Sequence, residues 1–427
     1  FLNTKFSILT AEFILYLFLF LVALNYIFSS VLEFLNTKNW KNNIPENLKD
    51  FYSKEKYSQA RDYKIDKGKI GLISSSISFL VTISFLILNG YGMLSEYILS
   101  HNVFNKFHSQ YFFTALFLIN FIIGIPISYY SNFVIEEKFG FNKMDIKTFV
   151  LDKLKSFVIS IVLIFALTSL AVFIIDYFSS GFWIWLWISL SLLMILLNMF
   201  YADLIVPIFN KLTPLESGDL RSKIEKYSSE VGYSLKNIFV IDGSKRSTKA
   251  NAFFSGIGPR KTIALFDTLV DSYTDEELVS VLAHEVGHYK KNHILISMFL
   301  TISQLALICF VFELCLGQNL IANALGSSTM NFHLGIIGFS LLYSPLSLVT
   351  GIFMNMLSRK NEYEADDYAK NTSSGPALQS ALKKLSADSL SNLYPHPFYV
   401  FVHYSHPPLL KRLQRLEIKQ KWSKNYV

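Results

Sequence analysis

The sequence predicts an α-helical polytopic membrane protein, in which seven transmembrane helices join a mainly helical polar domain that carries a small β-hairpin or sheet. Three observations predict this fold class. Of the 427 residues, 52% are hydrophobic and only 17% are charged, whereas soluble domains average about 25% charged residues. Seven long apolar runs contain neither Lys nor Arg. The basic residues are concentrated in alternate connecting segments, as the positive-inside rule requires of true crossings.

Each apolar run is long enough to cross a bilayer, because a helical crossing needs roughly 20 apolar residues. The runs are residues 13–32, 70–88, 111–130, 157–175, 182–200, 294–312 and 334–357. Polar residues inside them, among them Asn25, Asn120, Asn198 and Asn355, are expected to face the bundle interior or water rather than lipid. They would either form interhelical hydrogen bonds or line a wet chamber.

The charge distribution predicts the orientation. The segments after runs one, three, five and seven hold 9, 5, 12 and 11 of the 39 Lys and Arg residues, and each other segment holds at most one. This places the N-terminus outside and the C-terminus, with both large polar regions, in the cytoplasm. The net charge of +7 follows from the same pattern. No nucleic-acid partner is predicted, because the basic residues alternate with apolar stretches instead of clustering beside stacking aromatics.

The predicted organisation has four parts. Residues 1–205 contain membrane helices one to five with their cytoplasmic loops, and residues 294–357 contain helices six and seven. Residues 206–293 and 358–427 are two polar parts. Because both polar parts lie on the same side of the membrane, they can fold into one domain. The sequence does not predict an oligomeric state.

A helix carrying two histidines is the most informative segment. Thr274 followed by Glu277 forms a capping box, which predicts a helix start. On that helix His284 and His288 lie four residues apart and therefore on one face, and Glu285 lies beside them. This His-Glu-x-x-His spacing can bind one Zn²⁺ and place a general base next to the open position of the metal. The alternative is two surface histidines on an amphipathic helix.

A catalytic zinc needs a third protein ligand. Position 294 is Ile, which excludes the metzincin pattern, and His293 has the wrong offset and is expected at the membrane interface. In the tail, Glu362 and Asp366 share a helix face if that segment is helical. Glu362 could ligate the metal while Asp366 accepts a hydrogen bond from the far nitrogen of a ligating histidine. Glu364 points to another face, and an acidic helix surface is the alternative.

Candidate substrate contacts flank this site. Residues 237–241 and 251–253 are predicted strands, with a Gly-Ile-Gly-Pro turn at 256–259. A peptidase can hold an extended peptide by main-chain hydrogen bonds to an edge strand, and Asn251-Ala252-Phe253 could be that edge, although a plain structural hairpin is equally consistent. His406 and Arg412, around a final helix, could fold back over the site, or act as caps and surface charges.

These residues resemble the type-I CAAX prenyl endopeptidases, integral-membrane zinc metalloproteases that are distantly similar to thermolysin. RDY at 61–63 and DK at 66–67 also fit the N-terminal region of that family. The resemblance covers nearly the whole chain, and its other matching stretches are PIFNKLTPL at 207–215, IDGSKRS at 241–247, NAFF at 251–254, LFDTL at 265–269, LAHEVGH at 282–288, SR at 358–359, EYEAD at 362–366 and SHPPLLKR at 405–412.

The resemblance implies a role for each motif residue around the metal. His284, His288 and Glu362 would bind one Zn²⁺ per chain. Glu285 would be the general base, and Asp366 would orient a ligating histidine.

The resemblance also implies how substrate is held. Asn251 and Ala252 would hold the substrate backbone, while His406 and Arg412 would stabilise the oxyanion and bind a substrate carbonyl. The seven helices would surround a water-filled intramembrane chamber capped by the zinc domain.

The functional hypothesis is therefore a membrane-embedded zinc endopeptidase that removes the last three residues from prenylated CAAX proteins or peptides. Its catalytic domain would face the cytoplasm, from the endoplasmic reticulum membrane in a eukaryote or the inner membrane in a bacterium. Two alternatives remain open. One is a membrane quality-control metalloprotease of broad specificity. The other is a catalytically inactive scaffold or transporter.

Overall fold

The computed structural model describes residues 10–101, 106–235, 237–255 and 262–417, and it confirms the predicted fold class. Seven helices within these residues are long and apolar enough to cross a membrane, and each corresponds to one predicted run. Their bounds are Ala11–Lys38, Lys54–Ile87, His108–Glu136, Ile146–Phe178, Phe182–Phe209, His293–Cys315 and Phe332–Thr372.

The helices and strands are numbered along the chain. The membrane half contains α1 (Ala11–Lys38), α2 (Lys54–Ile87), α3 (Gly90–Ser100), α4 (His108–Tyr130), α5 (Ile146–Phe178), α6 (Phe182–Phe200) and α7 (Val206–Phe209). Short π-helical segments, Ser131–Glu136 and Tyr201–Ile205, continue α4 and α6. The remainder contains β1 (Leu212–Pro214), α8 (Asp219–Glu230), β2 (Asn237–Ile241), β3 (Ala252–Ser255), β4 (Thr262–Phe266), α9 (Asp267–Ser272), α10 (Asp275–Lys290), α11 (His293–Cys315), α12 (Asn319–Ala324), α13 (Phe332–Thr372), α14 (Gly375–Asp388), α15 (Pro397–His403) and α16 (Leu409–Glu417).

Two spans continue far beyond their apolar runs. Helix α2 begins at Lys54, with Ser53 as its N-cap, although the apolar run starts only at residue 70. Helix α13 continues without a break to Thr372, although its run ends at residue 357. Hydropathy marks only the part of a helix that lies in lipid, so the polar extensions were not predicted as parts of these helices. Because α13 crosses the predicted 357/358 boundary, one continuous helix joins the membrane to the polar domain.

Several polar side chains within the spans are exposed at the helix surfaces. Asn25, Ser75, Asn120 and Asn198 are all exposed although each lies inside a span. Such groups are unfavourable against hydrocarbon and normally face a cavity or a partner helix. These positions therefore fit the chamber that the resemblance implies.

The polar domain is built on a four-stranded sheet of order β1-β2-β4-β3. Strand β2 is parallel to β4, whereas β3 is antiparallel to β4, with Ala252 opposite Leu265. Strand β3 therefore lies at an edge of the sheet. The predicted turn at 256–259 lies outside the described residues.

One apolar core holds the sheet and the surrounding helices together. It includes Ile224 of α8, Ile263 of β4, Leu269 of α9, Leu282 of α10 and Leu378 of α14, each at most 3% exposed. Burial of a large aliphatic side chain contributes roughly 1.5–3 kcal/mol. The histidine helix α10 is thus fixed to the sheet and to α14 by its apolar face, which leaves its other face for the site.

Candidate metal centre

Helix α10 begins where the sequence predicts. The Thr274 hydroxyl accepts a hydrogen bond from the backbone N–H of Glu277 at 3.3 Å, and the Glu277 carboxylate accepts one from the N–H of Thr274 at 2.9 Å. This confirms the capping box. Glu277 also accepts hydrogen bonds from Ser380 at 2.6 Å and Lys384 at 2.7 Å, both on α14. The start of the histidine helix is therefore anchored to a neighbouring helix.

A close contact between α10 and α13 brings the two halves of the site together. A Cβ on Gly287 would lie 3.1 Å from the Cα of Ala365 and 3.1 Å from the Cβ of Tyr368. Ala283 and Ala369, in the same contact region, are completely buried. Small residues on both helices allow this approach, and Gly287 is required at its tightest point.

The contact places His284, His288 and Glu362 around one point. The Nε2 atoms of the two histidines are 3.2 Å apart. Nε2 of His284 lies 3.4 Å from Oε2 of Glu362, and Nε2 of His288 lies 3.3 Å from Oε1 of the same carboxylate. One ligand atom from each side chain thus lies within 4.8 Å of the others.

The residues of this cluster fit a metal ion. Glu362 is only 4% exposed, and its Oε2 atom has no hydrogen-bond donor among the described residues. A buried carboxylate oxygen without a donor is costly, and a bound cation would remove that cost. Two imidazole nitrogens and one carboxylate oxygen form the ligand set of catalytic zinc sites, which keep one position open.

Asp366 and Arg412 surround the outer side of His284. Oδ1 of Asp366 lies 2.9 Å from Nδ1 of His284, and Arg412 donates to both Asp366 oxygens at 2.8 and 2.6 Å. Burial disfavours the charged imidazolium of His284, but the Asp366 carboxylate, with the Glu362 carboxylate close by, outweighs this effect and raises the pKa of His284 to about 9. Burial also opposes the charge of Arg412, but the nearby carboxylates, of which Asp366 has the largest effect, raise the pKa of Arg412 above its usual value.

Two residues at this site were missed by sequence reasoning. His293, placed at the membrane interface by its offset, is 4% exposed, and its Nδ1 lies 3.1 Å from Nδ1 of His288. Its Nε2 lies 3.1 Å from Oε2 of Glu364. Glu364 faces away from the cluster, as predicted, yet it reaches His293. Only the proximity of α11 and α13 brings these residues together, and no local sequence pattern encodes that proximity.

Glu285, His406 and Arg412, the other residues predicted around the metal, lie at different distances from the His-His-Glu cluster. Glu285 directly follows His284 on α10 and is half-buried. Nε2 of His406 lies 3.3 Å from Oε1 of Glu362, and the His406 side chain is 65% exposed. Nη1 of Arg412 lies 3.5 Å from Oε2 of Glu362, although two other guanidinium nitrogens bond to Asp366.

The edge strand and the metal cluster border adjoining cavities. A cavity of about 400 Å³ is lined by His288, Asn198 and Asn361. A second cavity of about 680 Å³ is lined by Asn251, Phe253 and, again, Asn198. Ala252 begins β3, and its N–H donates to the Asn251 side chain at 2.9 Å. The two cavities share Asn198, so the space beside β3 adjoins the space beside His288.

A seven-span membrane protein with a His-His-Glu cluster and a glutamate next to the first histidine belongs to the class of membrane metallopeptidases. The family follows from comparison with known proteins. Residues 214–420 match the family model described as peptidase family M48, and residues 33–211 match that described as CAAX prenyl protease N-terminal, five membrane helices. The chain belongs to peptidase family M48 and is a metalloendopeptidase.

Full-length relatives agree with this assignment. The chain is 34% identical to CAAX prenyl protease 1 homolog of Oryza sativa subsp. japonica, over 92% of this chain and 95% of the relative. It is 33% identical to CAAX prenyl protease 1 of Saccharomyces cerevisiae, over 90% of each. The crystal structure of S. mikatae Ste24p superposes with a TM-score of 0.89 at 32% identity, over 95% of this chain and 99% of that one.

Proposed function

We propose that this protein is a zinc endopeptidase that removes the C-terminal three residues from prenylated CAAX proteins. The observation that carries the proposal is the convergence of His284, His288 and Glu362 on one point, beside an edge strand that can hold an extended peptide. The family, and relatives that bear the name CAAX prenyl protease 1, support the choice of substrate.

In this proposal the chain's own residues hold the metal and move the protons. His284, His288 and Glu362 hold one zinc ion. When bound, zinc lowers the pKa of a coordinated water and polarises the scissile carbonyl. Glu285 accepts the proton from the attacking water and delivers it to the leaving amine. Asp366 keeps Nδ1–H of His284 directed outward, so that Nε2 is free to face the ion.

Substrate is held by groups on two sides of the cluster. Asn251 and Ala252 hold the peptide backbone along β3, because an edge strand offers unpaired main-chain groups. His406 donates to the carbonyl oxygen as negative charge develops on it. Arg412 keeps Nη1 toward the site, which suits contact with a substrate carbonyl, while its bonds to Asp366 fix the guanidinium.

The substrate determines where the enzyme would act. Prenylated C-terminal segments lie at the cytoplasmic face of membranes, and the basic segments of this chain predict the same side for the catalytic domain. The proposed location is the endoplasmic reticulum membrane in a eukaryotic cell, or the inner membrane in a bacterial one. The lipid of the substrate would then enter from the bilayer next to α11.

Mass spectrometry of peptides incubated with the purified enzyme tests this function. A farnesylated CAAX peptide should lose its last three residues, and the unprenylated peptide of the same sequence should be cleaved much more slowly. Equal cleavage of both would favour the quality-control protease of broad specificity, and no cleavage of either would favour the inactive scaffold or transporter.

Glu285→Gln separates metal binding from chemistry. This variant should keep its zinc, because Glu285 is not a ligand, and should lose turnover by a factor of about 10²–10⁴, the range of a general base. Zinc content measured by atomic absorption is the control. Turnover equal to that of the parent enzyme would refute the assigned role of Glu285.

A further inference from the structure

The two metal-facing histidines are supported on their outer sides in different ways. Nδ1 of His284 meets a carboxylate directly, at 2.9 Å from Asp366. Nδ1 of His288 meets another imidazole instead, at 3.1 Å from Nδ1 of His293. The far nitrogen of His293, Nε2, lies 3.1 Å from Oε2 of Glu364. The histidine that looks unsupported is thus connected to a carboxylate through one additional ring.

The metal-facing nitrogen of His288 at one end and the Glu364 carboxylate at the other determine which atom donates in each hydrogen bond between them. A neutral imidazole that faces a metal through Nε2 carries its hydrogen on Nδ1, so Nδ1 of His288 donates. Nδ1 of His293 must then accept, which places its hydrogen on Nε2. That hydrogen is donated to Glu364, and an ionised carboxylate can only accept.

The turn between α10 and α11 places His293 in this position. Asn292 has a φ of 58°, in the left-handed region, so the chain reverses and α11 begins with His293 directed back at α10. His293 is 4% exposed, and a buried imidazole with both nitrogens satisfied holds a single orientation. The first residue of a membrane span is therefore also packed against the metal cluster.

We propose that His293 and Glu364 form a supporting arm that fixes the ring of His288 for metal binding. The inference rests on the zinc site proposed above. Together with Asp366, this arm means that α13 supplies one metal-facing carboxylate, Glu362, and the anchors of both histidines, Glu364 and Asp366. His293 is a positioning residue in this arrangement, since it touches His288 but not the ion.

Zinc affinity of the full-length protein, measured by competition with a chromogenic chelator, tests the arm. His293→Phe keeps the ring volume and removes both hydrogen bonds, so zinc affinity should fall by about 10–100-fold, the cost of losing such a partner. Glu364→Gln should lower it in the same direction by less, because an amide oxygen still accepts. His293→Gln, which keeps one acceptor and one donor, should bind zinc more tightly than His293→Phe.

Two control variants match these changes. His101→Phe makes the same substitution at an exposed histidine outside the site. Lys360→Ala removes a cation that lies 3.7 Å from Oε1 of Glu364 and leaves the contact between Glu364 and His293 in place. Both should retain the parent's zinc affinity. Thermal unfolding of the metal-free proteins separates an effect on folding from an effect on the metal, because a merely structural role would lower the melting temperature and leave zinc affinity unchanged.

The double variant decides whether the two residues act in series. If they do, adding Glu364→Gln to His293→Phe should change zinc affinity by less than about twofold, whereas independent effects would multiply. Multiplying effects, or a His293→Phe protein with the parent's affinity, would overturn the arm. The parent enzyme keeps the two proposals apart: if it binds no zinc, the proposed function fails, and if it binds zinc while these variants are unaffected, only the arm fails.

Discussion

Gly287→Ala tests how the metal centre is assembled from two helices. The new Cβ would lie 3.1 Å from the Cα of Ala365 and from the Cβ of Tyr368, whereas ordinary contacts lie at 3.4–4 Å. Neither atom is the end of a flexible side chain, so α10 and α13 must separate by about 0.3 Å at this point. The metal-facing residues are divided between these two helices, and zinc–ligand distances tolerate only about 0.2 Å.

The expected result is a loss of metal affinity that exceeds the loss of stability. Overpacking costs about 1–3 kcal/mol, but alanine gains about 1 kcal/mol over glycine inside a helix, so the net loss of stability of the metal-free protein should be only about 0–2 kcal/mol. In the proposed zinc site the strain would fall on the spacing between the histidines of α10 and Glu362 of α13. A cost of about 1.4 kcal/mol there corresponds to a factor of ten in affinity, and kcat/KM on a farnesylated peptide should fall at least as much.

Gly351→Ala is the matched control, because a Cβ on this glycine of α13 would meet no atom of the described residues within 4 Å. This variant should be as active as the parent and equally or more stable. The assays are chelator competition for zinc, peptide cleavage and thermal unfolding, applied to both variants. If Gly287→Ala bound zinc within a factor of two of Gly351→Ala, the argument that helix spacing sets the ligand geometry would be wrong.

Two further predictions concern His284 and Glu277. In the proposed zinc site, His284 must be neutral to bind the metal. Its pKa is raised to about 9, so apparent zinc affinity should rise about tenfold per pH unit up to pH 9. The raised pKa stabilises the metal-free protein below pH 6.5, and that contribution is lost as the pH rises to 9. Chelator competition and thermal unfolding between pH 6.5 and 9 measure both trends, and a flat affinity profile would contradict the first. Glu277→Gln weakens the capping box and the contact with Lys384, and should destabilise the fold by roughly 1.5–3 kcal/mol; an unchanged unfolding midpoint would contradict this.

The sequence predicted those parts of the molecule that depend on local patterns. Apolar runs and alternate basic segments predicted seven spans, and Thr274 with Glu277 predicted where α10 begins. The spacing of His284 and His288 placed both on one face because a helix has 3.6 residues per turn. In each case the relevant residues are neighbours in the chain.

The remaining features depend on contacts between segments that are distant in sequence. The sequence reasoning excluded His293 as a ligand by its offset but could not foresee that α13 brings Glu364 to its other nitrogen. The role of Gly287 was equally hidden, because it depends on Ala365 and Tyr368 of another helix. The length of α13 was underestimated because its polar extension packs against the catalytic domain rather than lipid.

Because α13 runs without a break from the membrane to the site, a change in the tilt of its membrane-spanning part would displace Glu362. Pro345 lies inside this helix, and Glu362 lies about 25 Å further along the axis at 1.5 Å per residue. A proline is where a helix bends most easily, so a bend of about 5° there would swing Glu362 by about 2 Å, roughly ten times what zinc–ligand distances tolerate. Since span tilt responds to bilayer thickness, turnover should vary with lipid acyl-chain length in reconstituted vesicles. Constant turnover across acyl-chain lengths would contradict this prediction and would mean that α10 and α13 move together, so that the spacing of the site residues is unchanged.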